Sequence, residues 1–357
     1  MGKIIPRSLV LIFLLSSVVF FGRYLLFHPL KLQLLYQSWD GPAYVVVAKS
    51  FYNPILIDAA NTVRLPTYYF ANYFPLYPVF IKLFSFIGFF RSALFVSQLF
   101  TLLFTIAIYN LFKKIYPKDK LNWIAIPLIF FPARWFTITH IGSSEPLFLF
   151  LVTLFLIQLT KNKHLSAAIF LALAQFTRHA AIWFFVGILA YAIYLTLTKK
   201  VSINKAIKTY YPYLLVPLTL IAINIFFYLS YGDFSFWGAN AQKASYFQLI
   251  PFNIFTSFAS DTWKESLIFN YLMYLGAVLL LFNERKYLFG FLMLFNFIPL
   301  VFFVQEDLSR IALTSLPLLD LAYHKLITNK LFQIAIIILI PAIYLFSFGF
   351  IEYNISP

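Results

Sequence analysis

The sequence contains no cysteine, and Asp, Glu, Lys and Arg make up only 11% of its 357 residues. The first absence excludes a disulfide framework, a thiol nucleophile and a thiolate-bound metal. The second excludes an ordinary soluble domain, in which about 25% of residues are charged. The five histidines (His28, His140, His164, His179 and His324) are scattered without paired metal-ligand spacing, which argues against zinc. No phosphate-binding glycine loop and no dinucleotide fingerprint occurs, so neither ATP-driven transport nor a nucleotide cofactor has support. No internal repeat, linker or low-complexity segment divides the chain, and residues 1–357 read as one integral membrane domain.

Apolar side chains fill most of the chain. They make up 62% of it, with 46 Phe and 24 Tyr, and the mean hydropathy is +0.84. That composition predicts an all-α polytopic membrane protein. The net charge of +15 then reflects Lys and Arg in cytoplasmic loops rather than affinity for nucleic acid. Lys3 and Arg7 precede the first apolar run and place the N-terminus in the cytoplasm of a plasma-membrane protein. That run, Ser8 to Phe27, is long enough to span and lacks a small-residue cleavage site, so it reads as a membrane helix rather than a signal peptide. Arg23, near its outer end, is expected to snorkel to a headgroup.

Hydropathy and basic clusters together predict about eleven spans. After the first they run Ser92–Phe112, Leu121–Ile138, Pro146–Thr160, Leu165–Phe176, Ala180–Thr198, Tyr210–Tyr231, Ser266–Phe282, Tyr287–Val304, Ile311–Tyr323 and Leu331–Phe350. The apolar stretch Phe74–Phe89, interrupted by Pro75, Pro78 and Lys82, reads as a helix lying on or dipping into the outer face. With that parity, sixteen of the 27 basic residues fall on the inner side, against three of the twelve acids. Among them are the cluster Lys113, Lys114, Lys118, Lys120, with Asp119 beside it, and Lys205 and Lys208 in a loop before the seventh span.

The unusual polar residues then fall together on the outer side. Asp40 lies in the first outer loop, between Trp39 and the turn-forming Gly41-Pro42. The commoner explanation of such an acid is a helix N-cap. The functional one is a carboxylate at an apolar surface that takes a proton from a hydroxyl. Glu145 opens the fourth span, where an acid suits a helix N-terminus; as a functional group it would place an acceptor hydroxyl or, with Asp40, a divalent metal. Arg178 lies between two apolar spans, where a charge is costly unless it faces a cavity, a partner or a headgroup. Arg178, Arg310 and Lys243 are candidate phosphate ligands. Asp233 and Gln242 are candidate donor contacts in the second outer loop, Gly232–Glu265. The turn Gln305-Glu306-Asp307-Leu308-Ser309-Arg310 closes the outer set.

Read in order, Trp39-Asp40-Gly41 with Tyr44, Phe74-Pro75-Leu76-Tyr77-Pro78, Ser144-Glu145-Pro146-Leu147-Phe148-Leu149, Thr177-Arg178, Gly232-Asp233 with Phe236, Ala241-Gln242 and Ser309-Arg310 cover most of the chain. In this order they resemble the C-class glycosyltransferases that use polyprenyl-phosphate sugars. The likeness is greatest to prokaryotic relatives of the class V mannosyltransferase of glycosylphosphatidylinositol assembly. Ala43, where a bulkier residue is expected, and His179, where proline is expected, depart from that pattern. The resemblance implies a first outer loop carrying the catalytic acid at Asp40, with Trp39, Gly41, Tyr44 and Tyr77 about the substrate. It also implies a polyprenyl-phosphate donor, mannose as the sugar, and a glycan or glycolipid acceptor among membrane lipids. The rival readings are a flippase or transporter of a lipid-linked sugar and an outer-face glycan ligase.

Overall fold

The computed structural model describes residues 7–27, 32–116, 123–256, 261–305 and 307–353. Lys3, His28, Lys118, Asp119, Lys120 and Glu306, which entered the sequence reading, lie outside these residues. Helix α1 (Arg7–Gly22) continues as a wider π turn to Phe27, and the first loop carries α2 (Leu32–Gln37), α3 (Gly41–Ser50), α4 (Pro54–Ala60) and α5 (Leu76–Leu83). Then come α6 (Phe89–Ile115), α7 (Ala125–Phe130), α8 (Ala133–Thr139), α9 (Glu145–Leu159), α10 (His164–Gln175), α11 (Ala181–Leu197), α12 (Ile203–Tyr210) and α13 (Leu215–Tyr231). The second loop holds α14 (Trp237–Ser245), and the chain ends with α15 (Asp261–Asn283), α16 (Tyr287–Phe302), α17 (Leu308–Ala312), α18 (Leu316–Ala322), α19 (His324–Ile327) and α20 (Lys330–Tyr353).

Among the described residues, five helices are long and apolar enough to cross a membrane: Arg7–Leu26, Phe89–Ile115, Ile203–Tyr231, Trp263–Asn283 and Lys330–Tyr353. Four shorter apolar helices, α9, α10, α11 and α16, accompany them, and the whole is the architecture of a multi-pass membrane protein. Of the shorter helices, α9 is the best buried. Helix α9 packs between α6 and α10, and α11 lies along α16. A Cβ on Gly187 would stand 2.9 Å from the Leu292 Cα, so α11 and α16 meet backbone to backbone. Helices α1, α7, α8 and α20 form a second apolar cluster beside this core.

Among the described residues, the third and the tenth of the eleven expected spans are broken helices. The third is broken between α7 and α8, where Phe131 is extended before Pro132. Proline clashes with a helical conformation in the residue before it. The tenth is divided into α17, a 3-10 turn at Leu313–Ser315 and α18, with Pro317 in the first turn of α18. Lys205 and Lys208 belong to α12, which runs on into α13, and not to a loop. The stretch after Phe74 holds the eight-residue α5 and a 3-10 turn at Ser85–Ile87; α5 is about 12 Å long and too short to cross. Arg23 pairs with Glu352 at 3.5 Å and lies 3.9 Å over Phe348, so a protein partner holds it at the end of α20.

Ionic groups gather at the two ends of this bundle, and α6 measures the distance between them. At one end Ser97 exchanges hydrogen bonds with Ser143 (Oγ to the carbonyl at 2.9 Å, backbone N–H to Oγ at 2.8 Å), two residues from Glu145. At the other end Tyr116 stacks on His324 and accepts from Lys286 at 2.8 Å. From Ser97 to Tyr116 the rise is about 28 Å, close to the ~30 Å hydrocarbon thickness of a bilayer.

Candidate active site

The site begins with a close approach of two loops. Gly41 lies against Gly142: a Cβ on Gly41 would come 3.3 Å from the Gly142 carbonyl oxygen, and one on Gly142 would come 3.4 Å from the Gly41 Cα. Only residues without side chains let the start of α3 and the start of α9 come this near, which brings Asp40 and Glu145 to the same place. Gly41 is therefore a packing residue. Trp39 precedes Asp40 with φ +47, a left-handed conformation that is uncommon outside glycine. Its ring is held by Arg134 at 4.7 Å, Arg310 at 5.4 Å and the Phe350 ring at 4.7 Å.

Asp40 stands at the N-cap of α3 but makes no side-chain capping bond. Its carboxylate turns outward instead. Oδ2 accepts from Arg310 Nη2 at 2.7 Å, and Oδ1 accepts from the Tyr73 hydroxyl at 3.2 Å. Glu145 also meets Arg310, accepting from Nε at 2.5 Å, and pairs with Arg178 Nη1 at 2.8 Å. Its second oxygen accepts from Ser143. Arg178 donates to Ser144 Oγ at 3.0 Å, which shares a 2.6 Å hydrogen bond with the Tyr44 hydroxyl. Asp307 extends the chain of charges, pairing with Arg134 and lying 3.5 Å from Arg310 Nη1.

Three carboxylates and three guanidiniums therefore form one network, balanced in charge. They come from the first loop, α8, α9, the α10–α11 turn, the N-cap of α17 and α17 itself. Their exposures differ in a telling way. The Glu145 side chain is 1% exposed and that of Arg310 7%, whereas Asp40 is 32% exposed. Asp40 is the most exposed of the three carboxylates, ahead of Asp307 at 25%, and the one that a second molecule reaches most readily. Glu145, expected to place an acceptor, lies behind the arginines with both oxygens engaged, so it holds Arg178 and Arg310 in position.

The other expected residues divide. Tyr44 belongs to the network through Ser144. Tyr77 is fully buried and points away, donating to the Ala93 carbonyl at 2.9 Å and sharing a hydrogen bond with Ser97 at 2.9 Å, while its ring packs on Tyr44. Asp233 is exposed and closes its own turn by accepting from the Ser235 N–H at 2.8 Å. Gln242 is half-buried on α14, with Oε1 enclosed and without a hydrogen-bond partner. Next to it, Lys243 donates a long 3.4 Å bond to the Asn72 carbonyl and lies 5.5 Å from the centre of the Phe74 ring. Residues 246–252 pair with 301–304 at the end of α16, anchoring the loop that carries α14.

Lys243 is the cation left over from the balanced network. Burial, and after it the charge of Arg178, pushes its ammonium down to about 7, with Asp40 acting in the opposite direction. His179, packed on Phe74, is held well below its ordinary value by burial and by the charges of Lys243 and Arg178, and its Nε2 has no partner. A divalent metal does not suit this donor set. The inward-facing carboxylate oxygens already face guanidiniums, and among the described residues no group of three His, Cys, Asp or Glu could hold an ion. Arg134, Asp307, Tyr73 and the two serines before Glu145 were not singled out as site residues by sequence reasoning. The signal available for Asp307 was its i,i+3 spacing to Arg310. No protein-family model matches the chain, and no curated protein matches it.

Proposed function

We propose that this chain is an inverting glycosyltransferase that moves a sugar from a polyprenyl-phosphate donor to an acceptor hydroxyl of a glycan or glycolipid. The proposed setting is the outer face of the plasma membrane, with the N-terminus inside, and mannose is the sugar the family resemblance favours. The observation that carries the reading is the convergence of Asp40, Arg178 and Arg310 beside an unmatched Lys243. A reachable carboxylate thus adjoins a cation that pairs with no acid among the described residues. In the proposed step Arg310 fixes Asp40 through Oδ2, and Oδ1 takes the acceptor proton. The acceptor oxygen forms its bond to the anomeric carbon while the bond from that carbon to the phosphate oxygen breaks. The phosphate leaves with the electron pair, and Lys243 and Arg178 offset its charge. An Asp40 network lying at one end of the bundle and not at its midplane, with no internal repeat, favours transfer over a transporter whose site lies at the midplane.

The test is incubation of the purified protein in lipid with radiolabelled polyprenyl-phosphate mannose and a mixture of glycan and glycolipid acceptors. Transfer of label is the expected result. Movement of intact donor across the bilayer without transfer would replace the reading by a flippase. Transfer only from a diphosphate-linked oligosaccharide would replace it by a ligase.

Donor affinity should depend on pH through Lys243. The donor is a phosphodiester whose single charge is constant between pH 6 and 9, and the depressed His179 stays neutral there. Lys243 is protonated below about 7 and loses its charge above that, so the donor KM should rise with pH. A coupling of one pKa unit between lysine and phosphate corresponds to about a tenfold rise. Lys243→Arg, which keeps its charge throughout, should flatten the profile. A wild-type donor KM that stays level from pH 6 to 9 would remove Lys243 from the phosphate site.

A further inference from the structure

The half of the bundle away from Asp40, toward the ionic rim of Glu284, Lys286 and Lys325, holds a second feature that the proposed reaction does not use. Asp320, on α18, is 4% exposed and lines a cavity of about 120 Å³. The other walls are Phe131, Met273, Leu319, Leu326 and Ile327, with Tyr323. The Tyr323 hydroxyl donates to the Met273 carbonyl at 2.9 Å, which leaves Asp320 as the one carboxyl lining the cavity. Among the described residues no cation pairs with Asp320 and nothing donates to it. The nearby lysines of this end, Lys286 and Lys325, both pair with Glu284, at 2.8 and 2.9 Å. An ionisable group at membrane depth without a partner is costly to keep, and here it is aimed into open space.

We propose that this cavity binds the head of a cationic amphiphile, a protonated amine on an alkyl chain, with Asp320 as its counter-ion. Three observations select that class. The carboxyl lacks a positive partner, and an ammonium supplies both the charge and the hydrogen bonds. The helices flanking the mouth are lipid-facing: Leu272, Leu275 and Leu279 of α15 and Leu331, Ile334 and Ile338 of α20 are all exposed, as is Leu326 at the opening. A ligand therefore enters from the bilayer and not from water. The volume is slightly below the ~150 Å³ of a cavity that holds benzene, room for an amine and its first methylenes while the rest of the tail stays among lipids. Asp320 also lies one turn before His324, which borders the ionic rim of Glu284, Lys286 and Lys325. That is the depth at which the head of a membrane amine resides. Asp320 stands ten residues from Arg310 along α17 and α18, about 15 Å of helical rise, and the site does not rest on the reading of the Asp40 cluster.

The experiment uses the full-length protein in phosphatidylcholine nanodiscs with a twelve-carbon alkylamine carrying a mid-chain diazirine. After photolysis, adducts are mapped by mass spectrometry. The expected result is labelling concentrated at Met273 and residues 319–327, reduced at least tenfold by excess dodecylamine but not by dodecanol. Asp320→Asn should remove the labelling to the same degree. Leu326→Trp, which closes the mouth at an exposed position and leaves Asp320 in place, should also remove it, so the test does not depend on Asp320→Asn folding. Adducts spread evenly over α1, α13 and α20 and unchanged in both variants would overturn the site. Equal competition by dodecanol would overturn the cationic class.

Discussion

Asp40→Asn lowers the rate of sugar transfer at least 100-fold, leaves the donor KM near its wild-type value and costs little stability. The three parts follow from separate features. A positioned general base contributes about 10²- to 10⁴-fold, and asparagine cannot accept the acceptor proton. Donor binding rests on Lys243 and Arg178, neither of which bonds to Asp40. Stability changes little because asparagine keeps the shape and retains an oxygen for the Tyr73 hydroxyl or the Arg310 Nη2. Arg310 also keeps Glu145 at 2.5 Å and Asp307 at 3.5 Å. The measurement is kcat and donor KM from initial rates of radiolabel transfer, with the thermal midpoint of the detergent-solubilised protein as control. A fall confined to kcat marks an interaction made only in the transition state. If KM rose and kcat held, Asp40 would be a positioning group for Arg310, and the base would have to be sought elsewhere.

Much of this site can be read from the sequence, because charges are scarce in it. Asp40, Glu145, Arg178 and Arg310 stand out since a charge beside an apolar run needs a reason. All four do meet. Their division of labour is another matter, because it depends on burial. Glu145 looks as available as Asp40 in the sequence and lies behind two arginines in the fold. Asp233 has the same chemistry as Asp40, yet its loop leaves it in the open. Arg134 and Asp307 pass unnoticed because each has an ordinary explanation, a span end and a loop acid. Their importance appears only when α8 and α17 come together. The fold shows the same pattern. Hydropathy locates four of the five long helices to within a few residues and starts Ile203–Tyr231 seven residues late. It does not register the breaks at Phe131–Pro132 and Leu313–Ser315, since an apolar stretch reads alike whether its backbone is helical throughout or interrupted.

Arg310→Met should be the most destabilising single change in the network. Arg310 is the one residue that touches Asp40, Glu145 and Asp307 together, and its side chain is 7% exposed. Removing one partner of a buried ion pair costs about 3–5 kcal/mol, because the remaining charge stays desolvated. Glu145 still has Arg178 at 2.8 Å and Ser143, which favours the lower end of that range, and Asp40 and Asp307 are partly exposed and can recover water. The expected reading is a thermal midpoint lower by about 5–10 °C. Arg134→Met should cost less, about 1 kcal/mol, because its partner Asp307 is 25% exposed and such pairs are well screened. Lysine at 310 should rescue little, since one ammonium cannot reproduce a fork that bonds carboxylates through Nε and Nη2 at once. The decisive comparison pairs Arg310→Met with Glu145→Gln. If the network acts as a unit, the double variant loses less than the sum of the two, by about 0.5–3 kcal/mol, because neutralising Glu145 removes the charge that Arg310→Met leaves uncompensated. Strict additivity would mean that Glu145 is held by Arg178 alone, and that Arg310 serves Asp40 without linking the two carboxylates.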